Sequence, residues 1–413
     1  MMLNYFNELI GGLETKIGET SDGVVARKRL TLEIARLGAR LYTPGQKVAW
    51  CGVLVPFDLL NAMGVTSCFV EFIGAMVAST GAADAMIEAA EQDGFASDCC
   101  SYHRTVCGAA ANGLMPEPDF LIGTSAPCAG GMAVVEHLAR HFKKDLFVLH
   151  IPIEVNDTAI DYLADQLREM VEFVSTRTGR TLDQDRLRAA MEYTNQVRAV
   201  WLEVNELIAK IPSPVRRRDM VNVGITLPLF LGTETAVDIA GLYRDEFARR
   251  VADGASGIAN EQVRLMWLQN RIQFKNPIEK MLDEEWGAAV VAEELNEVNW
   301  QPIDPDDPYR GMAARMLSIP LCRSVEYRLE NLRRMAAHYK VDGAINPCHW
   351  GCRQGSGSRG LIEEGLKSAG VPVLNLEVDC VDARHFAEGQ LRTRLEAFIE
   401  MLSQRSAEKA QTR

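Results

Sequence analysis

Short apolar runs alternating with helix-length stretches constrain this chain more than any other feature of its sequence. Lys47-Val-Ala-Trp-Cys-Gly-Val-Leu-Val55 reads as a buried strand, and Pro56 starts a helix over Phe57 to Met63 that Gly64 stops. A second short strand, Thr66 to Glu71, is followed by a helical stretch from Ala82 to Glu91. Pro116-Glu-Pro-Asp119 opens the strand Phe120-Leu-Ile-Gly-Thr124, the helix Gly131 to Phe142 comes next, and Leu146-Phe-Val-Leu-His-Ile-Pro152 is another strand. This order is the signature of a parallel sheet, because parallel neighbours need a crossover long enough to hold a helix.

Residues 158–210 change character, with long helical periodicity, many charges and no strand signal, and predict a helical hairpin between two halves. Ile211-Pro-Ser-Pro214 and the run Arg216-Arg-Arg218 mark the link that follows. The second half repeats the rhythm: strands at 263–268, 288–292, 344–349 and 371–377, with helices at 277–285, 309–317, 326–339, 360–369 and 389–402. The expected fold is α/β, two Rossmann- or flavodoxin-like parallel-sheet domains with an intervening helical segment. Its boundaries are a helical lead-in over 1–45, a first α/β domain over 46–157, a helical linker over 158–215 and a second α/β domain over 216–413. A chain of 413 residues that is 47% hydrophobic is long and apolar enough for two packed cores.

Onto this framework fall three cysteine neighbourhoods: Cys99-Cys100-Ser-Tyr-His-Arg104, Ser125-Ala-Pro-Cys128 and Pro347-Cys348-His-Trp-Gly-Cys352. Ten cysteines in this length are too few for a disulfide scaffold. The N-terminus lacks a basic start followed by an apolar core, and no apolar run approaches the roughly 18 residues that span a bilayer. The expectation is a cytoplasmic protein with reduced thiols and no membrane partner. A net charge of −12 argues against nucleic acid as a partner. Cys51, Cys68, Cys322 and Cys380 read as small buried hydrophobes. Cys100, Cys128 and Cys352 each adjoin turn residues at an element boundary, where open parallel sheets collect ligands, and are predicted to converge on one point. Cys99, Cys107 and Cys348 stay undecided. Structural zinc sites pair ligands as C-x₂₋₄-C twice over, and only Cys348-x₃-Cys352 qualifies, so an iron–sulfur cluster on dispersed thiolates fits better.

Gly351-Cys-Arg-Gln-Gly-Ser-Gly-Ser-Arg-Gly360 looks like a phosphate loop but lacks the Gly-Lys-Ser/Thr ending of a Walker A motif. No nucleotide is expected on this chain. The turn can still present amides to an anion, with Arg353, Ser356 and Arg359 beside it, and Arg104 is a further candidate for an acidic ligand.

The motifs Val55-Pro-Phe-Asp-Leu-Leu, Cys100-Ser-Tyr-His-Arg104, Pro116-Glu-Pro-Asp-Phe120 with Ser125-Ala-Pro-Cys128, His349-Trp-Gly-Cys-Arg-Gln354, and Gly370-Val-Pro-Val-Leu followed by Gly389-Gln-Leu-Arg-Thr-Arg occur in the order in which they occur in a known superfamily. Over roughly residues 45 to 402 the chain resembles the 2-hydroxyacyl-CoA dehydratase and benzoyl-CoA reductase superfamily. The resemblance implies a [4Fe-4S] cluster on Cys100, Cys128 and Cys352, with Cys99, Cys107 and Cys348 as possible extra ligands of an alternative [8Fe-9S] double cubane. It implies an acyl-CoA substrate, a paralogous second subunit or a homodimer, and an ATP-dependent iron–sulfur activator protein. One electron added to the thioester carbonyl would give a ketyl radical anion, leading either to dehydration or to reduction of an aromatic ring. Asp58, where the family commonly has glutamate, and His103 are the candidate catalytic groups, with Asp58 expected to face the cluster cavity. The alternatives are a double-cubane protein reducing small molecules and a non-catalytic electron-carrying subunit.

Overall fold

A computed structural model describes residues 2–19, 25–220 and 222–411. Its framework is two four-stranded parallel sheets. The first holds β1 (Val48–Cys51), β2 (Thr66–Phe69), β3 (Phe120–Thr124) and β4 (Leu146–Leu149); the second holds β5 (Val263–Trp267), β6 (Ala288–Glu293), β7 (Gly343–His349) and β8 (Val373–Val378). The orders are β2-β1-β3-β4 and β6-β5-β7-β8, so the halves share one topology without a sequence repeat. In each, the first strand pairs with both the second and the third, which places a topological switch point between β1 and β3 and another between β5 and β7. Every residue of β1, β2, β3 and β5 is buried. A parallel sheet covered on both faces buries its strands throughout in place of alternation, so even Thr66, Ser67 and Arg264 in these strands are buried. Trp50 and Trp267 fill these strands, and their indole N–H groups donate to the carbonyls of Pro116 and Asn270.

All eight predicted strands are present; β1, β2, β4 and β5 end earlier than expected, β3 and β7 end where expected, and β6 and β8 run one residue further. β1 stops at Cys51 because the chain turns at Gly52, where an added Cβ would lie 2.9 Å from Oγ1 of Thr124. The helices Glu71–Ser79 and Glu234–Ala252 escape the sequence reading. The first follows β2 through a single residue, Val70, so one apolar stretch runs through two elements with no stop signal between them. The second is announced only by Thr233, whose Oγ1 accepts from the Ala236 amide. The segment predicted as a helix over 277–285 is one α-turn, Ile278–Lys280, running into a π-turn, Met281–Glu285.

Two helices, Asp157–Thr178 and Gln184–Ile208, occupy the stretch expected to be helical, capped by the Asn156 and Asp183 side chains. Gln184–Ile208 packs on Glu234–Ala252, which in turn packs on the helix Val25–Leu41, and Asp157–Thr178 packs on the helix Pro308–Leu317. A single apolar core therefore runs from Leu30 through Trp50, Val204 and Tyr243 to Met266 and Leu332. A smaller one lies where the closing helix Glu388–Gln411 covers β5 and β8 with Leu391, Leu395, Phe398 and Leu402. No described helix is long and apolar enough to cross a membrane.

Asp58 departs from expectation. It lies on the helix Phe57–Ala62, fully buried, and both of its oxygens are taken by Arg315 of the helix Pro308–Leu317, at 2.6 Å and 2.9 Å, with Oγ1 of Thr194 donating at 3.2 Å. The carboxylate is thus a bidentate strut between the halves, beneath the cavity described below. Arg315→Met would leave that charge buried without a partner, which costs about 3–5 kcal/mol. The expected outcome is a clearly lower urea midpoint; an unchanged midpoint would contradict the strut.

Candidate functional site

The carboxyl ends of the two sheets face each other across a cavity of about 890 Å³. Gly52, Val53 and Thr124 line it from the first switch point, Gln269, Asn270 and Gly351 from the second, and Glu294 from the end of β6. Cys100, Cys128 and Cys352 stand on its wall, so residues 252 positions apart in sequence share one space.

Each of the three thiols occupies the N-cap position of a helix: Cys100 for Ser101–Ala111, Cys128 for Ala129–Phe142 and Cys352 for the short turn Arg353–Gly357. A capping sulfur receives amides that the helix itself cannot satisfy. The Gly131 amide donates to Cys128 Sγ at 3.2 Å and the Gly355 amide to Cys352 Sγ at 3.4 Å. Cys100 feels the amides of Tyr102 and His103, and its Sγ also lies 3.4 Å from Nε2 of His349. Burial pushes all three thiols above their ordinary range, and these amides draw them part of the way back. The sulfurs therefore stay protonated until a bound cation displaces the protons.

Close backbone approach closes the site. A Cβ on Gly351 would fall 2.4 Å from the Cys100 nitrogen, so only glycine lets the 350–352 turn rest on the 99–100 loop. Ser101 Oγ donates to Asp379 Oδ1 at 2.5 Å, fixing the same helix entry to the loop after β8. Among the described residues, no three His, Cys, Asp or Glu side chains are spaced to hold a single metal ion. The three sulfurs instead border open space, as a multinuclear group would need.

His103 is on the wall, with Nε2 3.6 Å from Oε1 of Glu71. Glu71 Oε2 is buried and has no hydrogen-bond partner. A Cβ on Gly131 would lie 3.3 Å from Glu71 Oε1, 3.6 Å from Cys128 Sγ and 3.9 Å from His103 Nε2, so these groups ring one small volume. Sequence reasoning missed Glu71, whose only signal is an acidic residue just past the carboxyl end of β2.

The remaining expected residues divide. Arg353 is on the rim, exposed and paired with Asp98 at 3.1 Å, and Cys99 joins the wall. Arg104 does not face the cavity: it is buried, bound to Glu91, with its Nε on the Cys99 carbonyl at 3.2 Å, so it braces the loop that carries the thiols. Arg359 pairs with Glu377 and Ser356 is exposed, both outside the cavity wall. Cys107 is buried away from the wall. Cys348 lies on β7 one residue before His349 and so points to the opposite face, with Sγ 3.5 Å from Oδ1 of Asn375.

Residues 53–402 match the family model described as 2-hydroxyglutaryl-CoA dehydratase, D-component. The chain belongs to this family. It is 25% identical over 381 residues to the (R)-phenyllactyl-CoA dehydratase alpha subunit of Clostridium sporogenes, covering 88% of this chain and 92% of that protein. Over 381 residues it is 27% identical to a benzoyl-CoA reductase subunit of Thauera aromatica, covering 86% of each. With the lactoyl-CoA dehydratase subunit alpha of Anaerotignum propionicum it shares 23% identity over 391 residues, 87% of this chain and 91% of that one. The superfamily anticipated from the motifs is thus the one to which this dehydratase-family chain belongs.

Gly351→Ala tests the closure of the site. The added methyl must separate the two segments, so Cys100 and Cys352 should react with iodoacetamide markedly faster than in the parent protein under native conditions. Unchanged rates would contradict the contact.

Proposed function

We propose that this chain is the cluster-bearing subunit of an ATP-activated acyl-CoA enzyme, dehydrating a 2-hydroxyacyl-CoA or reducing an aromatic acyl-CoA, with Cys100, Cys128 and Cys352 as the thiolates of a [4Fe-4S] cluster. The observation that carries this reading is the meeting of three cysteines at helix N-cap positions, Cys100 and Cys128 from the first half and Cys352 from the second, on one cavity wall between two switch points. The names of the relatives support the substrate class. Such a cluster supplies a low-potential electron and an iron open to the thioester carbonyl oxygen.

The chain's own residues do the rest. Phe57, Phe69 and Phe72 present apolar edges to the cavity, exclude water and hold the acyl chain. His103 Nε2 and Glu71 Oε1 are placed to take and return a proton next to Cys128. Arg353, and the exposed Arg27 that also lines the cavity, stand where CoA phosphates would enter. The rim beside Cys352 carries Trp350, half exposed and stacked on His385, as a face for an electron-donating activator. With no Walker A motif in the chain, ATP hydrolysis falls to that activator. The relatives are named as subunits, so a paralogous chain or a second copy completes the enzyme. A single cubane is favoured over the double cubane because Cys107 and Cys348 stand off the wall.

Anaerobically purified protein should hold about four iron and about four sulfide per chain, and Cys100→Ser, Cys128→Ser and Cys352→Ser should each lose most of both while Cys348→Ser keeps them. About eight iron per chain, or full iron in the three variants, would overturn the reading. Cluster reduction should require an activator ATPase together with ATP; reduction by NADH alone would remove the activator from the scheme.

A further inference from the structure

His349 is buried at the end of β7, and its two ring nitrogens have different partners. The Cys380 backbone amide donates to Nδ1 at 3.0 Å. A nitrogen that accepts cannot also carry the proton, so the proton belongs on Nε2. Asp379 Oδ1 lies 3.6 Å from Nδ1 and could draw a proton there, but it already accepts from Ser101 Oγ and from the Val381 and Asp382 amides. Nε2 stands 3.4 Å from Cys100 Sγ, within N–H···S range. Tyr102 packs edge-on to the imidazole at 5.6 Å between ring centres, which limits its rotation. The ring is therefore held from both sides with one N–H aimed at one sulfur.

We propose that His349 is a positioning residue that donates a hydrogen bond from Nε2 to the Cys100 sulfur and so raises the reduction potential of the cluster that sulfur holds. The inference rests on the cluster reading above. The physical basis is that reduction adds negative charge to the cluster and its thiolates, and a fixed donor stabilises that charge more in the reduced form than in the oxidised form. Cys128 and Cys352 receive backbone amides, which no side-chain substitution removes; of the three sulfurs Cys100 is the one whose side-chain donor can be exchanged. His349 sits three residues before Cys352 and contacts Cys100, so it also ties the second half's cluster loop to the first half's.

Two measurements test this separately from the cluster itself. In the iron-free protein, nitrogen-15 histidine spectra, with the signal assigned by its loss in His349→Gln, should show the neutral Nε2–H tautomer. An Nδ1–H tautomer would overturn the proposal. In the iron-loaded protein, a redox titration followed by electron paramagnetic resonance should place His349→Phe lower in potential than the parent. The expected change is about tenfold in the reduced-to-oxidised ratio, or about 59 mV for one electron. His349→Gln, which retains an N–H donor, should recover part of the shift. Equal potentials in parent, Gln and Phe proteins at equal iron content would overturn the tuning role. If the Phe variant fails to load, His349→Leu, which also lacks a donor, takes its place, and equal potentials in parent and Leu proteins at equal iron content count against the proposal. Protein that shows the tautomer but binds no iron sinks the cluster reading, and the tuning role with it.

Discussion

Everything at this site depends on the 350–352 turn of one half lying directly on the 99–100 loop of the other. Gly351 makes that contact possible, since any Cβ there would overlap the Cys100 backbone, and Ser101 with Asp379 and Cys100 with His349 hold it in register. This contact brings together Cys100, which belongs to the half built on the first sheet, and Cys352, which belongs to the half built on the second. With it, the carboxyl ends of two sheets of identical strand order enclose a single cavity. The buried Asp58–Arg315 pair fixes the halves again on the far side of that space, so the cavity is braced at two places.

The electrostatics of the wall follow from how each cysteine is carried. A thiol buried in apolar surroundings stays neutral, as with Cys51, which burial alone pushes far above its ordinary range. Cys128 and Cys352 also lie in low dielectric, but each faces an amide three residues on. Those amides favour the thiolate as soon as a cation supplies the opposing charge. Gly131 also keeps a side chain out of the space beside Cys128, where a Cβ would lie 3.6 Å from the sulfur, and Gly355 makes room for the Gln269 side chain, whose Oε1 would lie 2.1 Å from an added Cβ.

Much of this could be read from sequence because it depends on local signals. Short, largely apolar segments bounded by turn residues marked the eight strands, and cysteines at element boundaries pointed to the wall. What could not be read depends on contacts distant in sequence. Asp58 carries the same helix-entry signature whether it faces a cavity or an arginine, and nothing near it in sequence names Arg315, 257 residues away. Arg104 looks like an anion ligand until Glu91 is seen to occupy it. Cys348 and Cys352 have metal-ligand spacing, yet the two-residue repeat of β7 turns Cys348 away, and only the pairing with β8 shows which face that is. His349 reaches Cys100 only when the halves close, and Glu71 meets His103 and Cys128 only when distant segments of the first half fold together.

The most direct measurement is anomalous X-ray scattering at the iron edge from crystals of anaerobically purified protein. The account predicts one compact group of iron peaks, within bonding reach of the Cys100, Cys128 and Cys352 sulfurs, at about 2.3 Å for each iron–sulfur bond. Iron at Cys107 or Cys348, or three sulfurs too far apart to share one group, would contradict it.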